Sequence, residues 1–382
     1  MNLNDYFNPV ELDKPDDTEI LSDSILGRNI KINTPSVPID EISNYNIAVL
    51  GVPEDRNSYN KGVSLAPDHI RSSLYKLYKI DDKLKIIDLG NLKEGNTYTD
   101  TYCGLREVII ELLNNQVASI ILGGTQDLTY AVYLAFEQYK HNVKLITVDS
   151  VIDLDEKKFD AKSFLSKVIL NNDKIFKYVN LAHQQYLNDQ KLLKQLDSLF
   201  FDSVRLGLIR SDISVVEPVL RDADILSLDI CAIKHSDAPA NRYPSPNGLH
   251  ADEACQIARY AGLSDSVASF GIYDLNPVYE NNKQTANLAA QIIWYFIDGY
   301  NVRKIENPLS ENQNFKVFIV SHKDMEYEIT FYKSLITNRW WMEIPKTNSS
   351  NPLIIACSHE DYQQACNHDI PDLWWKTYQR IN

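Results

Sequence analysis

Residues 118–129 read ASIILGGTQDLT: an apolar run breaks at two glycines, and Thr125, Gln126 and Asp127 precede a helix-like stretch from Tyr130 to Tyr139. Such a turn lets backbone and side chains approach a ligand at the carboxyl end of a strand. Three further apolar runs end in acids. LITVDSVIDLD carries Asp149, Asp153 and Asp155, ILSLDICAIKHSD carries Asp229 and Asp237, and FGIYDLNP carries Asp274. Converging carboxylates, with the Gln126 amide, are the oxygen donors that Mg2+, Mn2+ or Ca2+ take. Asp153 and Asp155 also suit helix N-caps or loop acids. Cys231 and His235, with Asp237 beyond, have a Cys-x-x-x-His spacing that could join Asp229 in a three-ligand zinc site. The same spacing fits a packed cysteine and a solvated histidine. His183, His250 and His359 have no partner at ligand spacing, and no Gly-x-Gly-x-x-Gly or Walker-type loop occurs.

The elements that must position these residues are short apolar runs alternating with helical patterns from NIAVLGV (46–52) onward. The runs are LKIIDLG, ASIILGG, VKLITVD, FKYVNLA, SVRLGLI, ADILSLD and VASFGIYDL. Between them, CGLREVIIELLNN and TANLAAQIIWYFIDGY repeat apolar residues at three and four. Continuous apolar strands separated by helices indicate a parallel sheet covered on both faces. Right-handed crossovers then bring every strand's carboxyl end to one edge, where ligands bind. Residues 1–45 are polar, with Pro15, Pro35 and Pro38, and read as an arm lying on this body.

After about residue 306 the pattern changes. FKVFIVS, YEITFYKSL and RWWMEIP follow one another as strands without long helices, EDYQQACNH reads as a short helix, and IPDLWWKTYQRIN closes the chain. Residues 306–382 are thus expected to form a small α+β appendage. Its pairs Trp340–Trp341 and Trp374–Trp375 are expected to anchor it against the main domain, the alternative being an aromatic partner surface.

The 382 residues can bury a large core, and 44% hydrophobic with 24% charged residues is ordinary for a globular protein. A formal charge of −14 argues against a nucleic-acid or anionic-membrane surface. The start lacks a basic region followed by an apolar stretch, and no apolar run approaches the roughly 20 residues that span a bilayer. Five scattered cysteines suit reduced thiols, so a soluble cytoplasmic protein is expected.

The order and spacing of these segments resemble the arginase, agmatinase and formimidoylglutamase family of ureohydrolases. GGTQD (123–127) is similar to that family's Gly-Gly-Asp-His-Ser turn, DSVID (149–153) to its Asp-Ala-His-x-Asp strand end, and SLDIC (227–231) to its Ser-Phe-Asp-x-Asp strand end. NKGVSLAPDHIRSSLY (60–75), NGLHADEA (247–254) and YDLNP followed by TANLAA resemble further family segments. The likeness covers roughly 46–305 and implies a three-layer α/β sandwich with a mainly parallel central sheet.

The resemblance also implies two Mn2+ ions bridged by hydroxide and held by six side chains. Carried over, Asp149, Asp153 and Asp229 are kept, whereas Gln126 and Val151 replace histidines and Cys231 replaces an aspartate. The acid that binds the substrate amidine would be Asp274, ahead of Asn276. One metal position would be lined by Gln126, Asp149, Asp153 and Asp229; the other would include Val151 and Cys231. Valine has no lone pair, and a thiolate is a poor ligand for Mn2+ or Mg2+. A bridging hydroxide needs both ions. The expectation is a protein inactive as a ureohydrolase, with no metal or one weakly bound Mg2+, Mn2+ or Ca2+ ion, acting through binding or as a scaffold. Thr125, Asp127, His235 and Asn276 would line its pocket. The alternative is a formimidoylglutamase-like amidine hydrolase using one ion or an atypical zinc site. A protein partner, a small-molecule ligand and a homo-oligomer remain open.

Overall fold

The computed structural model describes residues 1–11, 22–140, 142–155, 160–170, 174–310, 312–321, 328–347 and 349–382. Pro15 of the arm and Tyr327 of YEITFYKSL lie outside these. The main sheet has ten strands: β1 (Phe7–Asn8), β2 (Lys31–Ile32), β3 (Ile47–Gly51), β4 (Ile86–Leu92), β5 (Ala118–Leu122), β6 (Val143–Val148), β7 (Ile175–His183), β8 (Asp202–Arg205), β9 (Ile225–Asp229) and β10 (Ser269–Tyr273). Their order is β1-β4-β3-β5-β10-β9-β6-β7-β8, with β2 also on β4. Every pairing is parallel except β1 on β4.

Alternate side chains of each strand enter opposite cores, as the strand period of two requires. Ile47 and Val49 of β3 join helices Ala66–Leu74, Ala251–Gly262 and Gln284–Asn301 on one face. Ala48 and Leu50 join helices Tyr98–Asn114, Leu128–Tyr139 and Phe164–Ile169 on the other. The result is the expected helix–sheet–helix sandwich. The segment 60–75 locks the first of these helices to the sheet. Arg71 donates to Asp88 of β4 at 2.8 and 3.2 Å, and the Tyr75 hydroxyl donates to the same carboxylate at 2.8 Å. Residues 1–11 do more than lie on the body. Phe7 pairs with Leu92, and Leu3, Phe7 and Val10 are buried.

SVRLGLI is not all strand. β8 ends at Arg205, and Leu206–Ser211 is helical, burying Leu206 and Ile209 on one face. A short apolar run at the sheet edge does not distinguish the two states.

The C-terminal segment forms a separate four-stranded antiparallel sheet: β11 (Phe315–Ser321), β12 (Glu328–Ser334), β13 (Trp340–Lys346) and β14 (Ser349–Cys357). Helices His359–Cys366 and Asp372–Ile381 follow. β14 was not expected, because SSNPLIIAC opens with four polar or turn-forming residues. The tryptophans divide their work. Trp340 and Trp374 fill the core between this sheet and its own helices, and Trp374 Nε1 donates to the Glu343 carbonyl at 3.0 Å. Trp341, on the opposite face of β13, lies 4.4 Å from the Arg221 guanidinium of the main body. Trp375 is exposed. The anchors therefore include Trp341 but not the whole set.

Further contacts hold the second sheet in place. Arg221 donates to the Cys357 carbonyl at 3.0 Å, Arg339 pairs with Glu217 at 2.9 Å, and Arg380 donates to the Ile175 carbonyl at 2.8 Å. Limited proteolysis of the intact chain should leave the segment after residue 306 attached. Trp374→Ala, at a cost of about 3–5 kcal/mol for a buried Trp, should make that segment the first to be cut. Early release from the wild-type chain would contradict the packing.

Candidate functional site

Register brings the strand ends together. Leu122 of β5 pairs with Ile272 of β10, Tyr273 of β10 with Asp229 of β9, and Leu228 of β9 with Val148 of β6. The turn after β5, then Asp274, Asp229 and Asp149, thus emerge from four adjacent strands along one edge.

The turn depends on its glycines. Gly123 and Gly124 have φ of +68° and +76°, and a Cβ on Gly124 would sit 2.6 Å from the Val52 carbonyl oxygen. Gly124 is therefore free to accept the Asp274 N–H at 2.9 Å, while the Gln126 N–H donates to Asp274 Oδ2, also at 2.9 Å. Asp274 itself has φ of +62°, an uncommon conformation for a non-glycine residue. Asn60 holds it there, donating to Oδ1 at 3.0 Å and to its carbonyl at 3.2 Å.

The proposed ligands and pocket residues fall into distinct groups. Asp149 and Asp229 are buried and each accepts a local N–H: Asp149 Oδ1 from Val151 at 2.9 Å, Asp229 Oδ1 from Cys231 at 2.6 Å. Burial, then the charges of Asp229 and Asp153, pushes the Asp149 carboxyl well above the usual range. Burial, then Asp274, does the same to Asp229. Asp153 is pushed up to about 8 by burial and by Asp274, against the pull of Lys162. Asp274 is pushed up to about 6, burial outweighing its bonds from Asn60 and Gln126. The carboxylates thus share one electrostatic neighbourhood. Even so, among the described residues no three His, Cys, Asp or Glu side chains are grouped to hold a metal ion.

Gln126 is 2% exposed, and neither its Oε1 nor its Nε2 has a hydrogen-bond partner. Val151, at 36%, is exposed. The Cys231 thiol is pushed well above its ordinary value by burial and by Asp229, and donates to Asn241 Oδ1 at 3.3 Å. A neutral, hydrogen-bonded thiol and an exposed valine do not fit a dinuclear manganese centre.

The remaining expected pocket residues have partners of their own. Thr125 and Asp127 bond to each other, and Asp127 also accepts from the Tyr102 hydroxyl and from Asn57 at 2.8 Å, so both are tied into the body. Asn276 is fully buried and donates to Asn60 Oδ1 and to the Lys61 carbonyl, each at 2.8 Å, which ties the residue after Leu275 to the segment that holds Asp274. His235 is exposed and Asp237 accepts the Ala251 N–H at 3.1 Å, and among the described residues they form no metal-holding group with Cys231. Asp153 and Asp155 cap no described helix, since Asp160 caps the next helical turn.

Two participants lacked a sequence signal. Lys162, in a loop helix, lies 3.9 Å over the Tyr243 ring and draws down the pKa of both Asp153 and Asp274. Asn60 sits within a segment noted above, but nothing in its type points to Asp274.

A sequence model described as the arginase family matches residues 45–298, and the chain belongs to that family. Formimidoylglutamase of Staphylococcus aureus strain JH9 is 24% identical over 265 residues, spanning 66% of this chain and 85% of that protein. Among solved structures, Trypanosoma cruzi formiminoglutamase with Mn2+ superposes with a TM-score of 0.64 at 19% identity, covering 70% of this chain and 97% of that one. Formimidoylglutamase of Bacillus subtilis gives 0.67 at 18%, covering 77% and 97%. Agmatine ureohydrolase of Thermoplasma volcanium gives 0.60 at 21%, covering 69% and 92%. Identities this low establish the shared fold. No helix among the described residues is long and apolar enough to cross a membrane.

The raised carboxyls set a pH dependence. A folded-state pKa above the ordinary 3.8 means the native state binds the proton more tightly. The stability this contributes is complete below about pH 4 and is lost as pH rises through about 6 for Asp274 and about 8 for Asp153. In chelator-treated protein, Asp153→Asn should therefore raise Tm at pH 8 and change it less at pH 5. Thermal melts showing an equal change at both pH values, or a loss at pH 8, would count against the shared burial of these charges.

Proposed function

We propose that this arginase-family protein binds a small cationic ligand in its strand-end pocket and does not hydrolyse ureohydrolase substrates. The observation that carries the proposal is the Gln126 amide, buried with both polar atoms unpartnered at the edge that also holds Asp149, Asp153, Asp229 and Asp274. A buried polar group left without a partner costs about 1–3 kcal/mol. The Gln126 carbonyl oxygen and the carboxylates are acceptors suited to one divalent ion or to an organic ammonium or guanidinium group.

Loss of hydrolysis follows from the replaced positions. Two ions about 3.5–4 Å apart are needed to acidify and clamp a bridging water. Val151 offers no donor, and Cys231 is held as a neutral thiol. The alternative draws on the formimidoylglutamase relatives: an amidine hydrolase with one ion among Gln126, Asp149, Asp153 and Asp229, and Asp274 taking the amidine. It must work with a left-handed Asp274 whose two oxygens are already engaged by Asn60 and Gln126.

Purified protein with added Mn2+ should show no useful turnover of N-formimidoyl-glutamate, arginine or agmatine. Mn2+-dependent hydrolysis of any of the three, lost in Asp229→Asn, would establish the hydrolase instead.

A further inference from the structure

The C-terminal sheet ends on one side in a strand that no other described strand joins. β11 runs for seven residues against β12 without a shift of register, and its other side is unpaired among the described residues. One step before β11 begins, the Leu335 N–H donates to the Asn314 carbonyl at 2.8 Å. That makes Asn314 and Leu335 a hydrogen-bonded pair, and such pairs alternate along an antiparallel ladder. Lys316, Phe318 and Val320 therefore spend their backbone groups on β12. The N–H and C=O groups of Phe315, Val317, Ile319 and Ser321 turn to the open side.

Proteins blunt such edges by keeping them short, charged or interrupted by proline. The other edges of this molecule follow that rule. β1 and β2 have two residues each, β8 has four, and β14 carries Pro352. β11 reads FKVFIVS, with Lys316 as its single charge and neither glycine nor proline. Val317 and Ile319 leave 49% and 61% of their surface in water. At the start of the strand the apolar surface continues through Leu335 and Ile336, both exposed. The bonds of Glu306 to Ser334 and Thr337 bring the exposed Ile305 beside them. β11 is also the side of the sheet away from Arg221 of the main body, which meets Trp341 of β13 and Cys357 of β14.

We propose that β11 pairs with β11 of a second copy of this chain, antiparallel about a two-fold axis at Phe318. The strand is self-complementary in that register. Val317 faces the partner's Ile319 and Phe315 faces the partner's Ser321, each in a hydrogen-bonded pair, so every outward backbone group of the strand is satisfied. Lys316 faces the partner's Val320. The contact thus opposes no like charges, although each chain carries a net charge of −14. Val317 and Ile319 of the two copies form one apolar stripe across the axis. The two four-stranded sheets become one continuous sheet, and no unprotected edge is left to extend it.

Sedimentation equilibrium of the full chain from about 1 to about 100 µM tests it, a range that reveals a micromolar Kd. The expected mass at the upper end is that of two chains. Ile319→Pro removes one outward N–H and leaves the bonds to β12. It should keep the wild-type circular dichroism and weaken dimerisation by about tenfold or more. The double variant Val317→Lys/Ile319→Lys sets like charges opposite each other and should stay monomeric, which gives the same readout if proline disturbs the strand. A wild-type mass that stays at one chain, or grows past two, overturns the proposal. So does a dimer that either folded variant leaves as tight as wild type.

Discussion

Carboxylates forced together at one buried sheet edge are the constraint around which the rest of this structure is arranged. Parallel topology gives no choice in the matter: β5, β10, β9 and β6 are neighbours, β9 ends in Asp229, β6 and β10 are followed directly by Asp149 and Asp274, and β5 leads into the turn that carries Gln126. Two unit charges about 4 Å apart repel by about 4 kcal/mol at an effective dielectric near 20. Here the charge is met by protons and by N–H groups, from Val151 to Asp149, from Cys231 to Asp229, and from Gln126 and Asn60 to Asp274. Lys162 adds a positive charge that favours the ionised forms of Asp153 and Asp274.

The replaced residues form a consistent set in this light. Imidazole at the Gln126 position would bring a strong metal ligand, whereas an amide is neutral at every pH and both donates and accepts. Valine at 151 contributes only its backbone N–H, which Asp149 uses. The Cys231 thiol stays protonated beside Asp229 and bonds to Asn241. Each replacement leaves a site that can exist without a second ion. The scaffold meanwhile keeps its own supports, including the Arg71–Asp88 pair and the Asn276–Asn60 bridge that fixes Asp274.

The main sheet was legible because its strands are uninterrupted apolar runs, a pattern that fully buried parallel strands require. The site's position was legible too, since its acids directly follow those runs. Legibility failed where local chemistry is ambiguous. SVRLGLI could be strand or helix at the sheet edge, and SSNPLIIAC hid β14 behind a polar start. It failed again where function depends on side-chain partners. Asp127 and Asn276 have the composition of pocket residues, and only the structure shows the tertiary hydrogen bonds that hold them to Asn57 and Lys61. Lys162 acts on the charge of Asp153 and Asp274 from a loop helix, which no spacing rule anticipates.

We propose that the strand ends bind at most one metal ion, and none beside Val151 and Cys231. Anomalous diffraction at the manganese edge, from crystals grown with millimolar Mn2+, tests it most directly. A single partly occupied peak near Asp149, Asp153 and Asp229, or no peak at all, is the predicted result. Two fully occupied ions bridged by a water would contradict it.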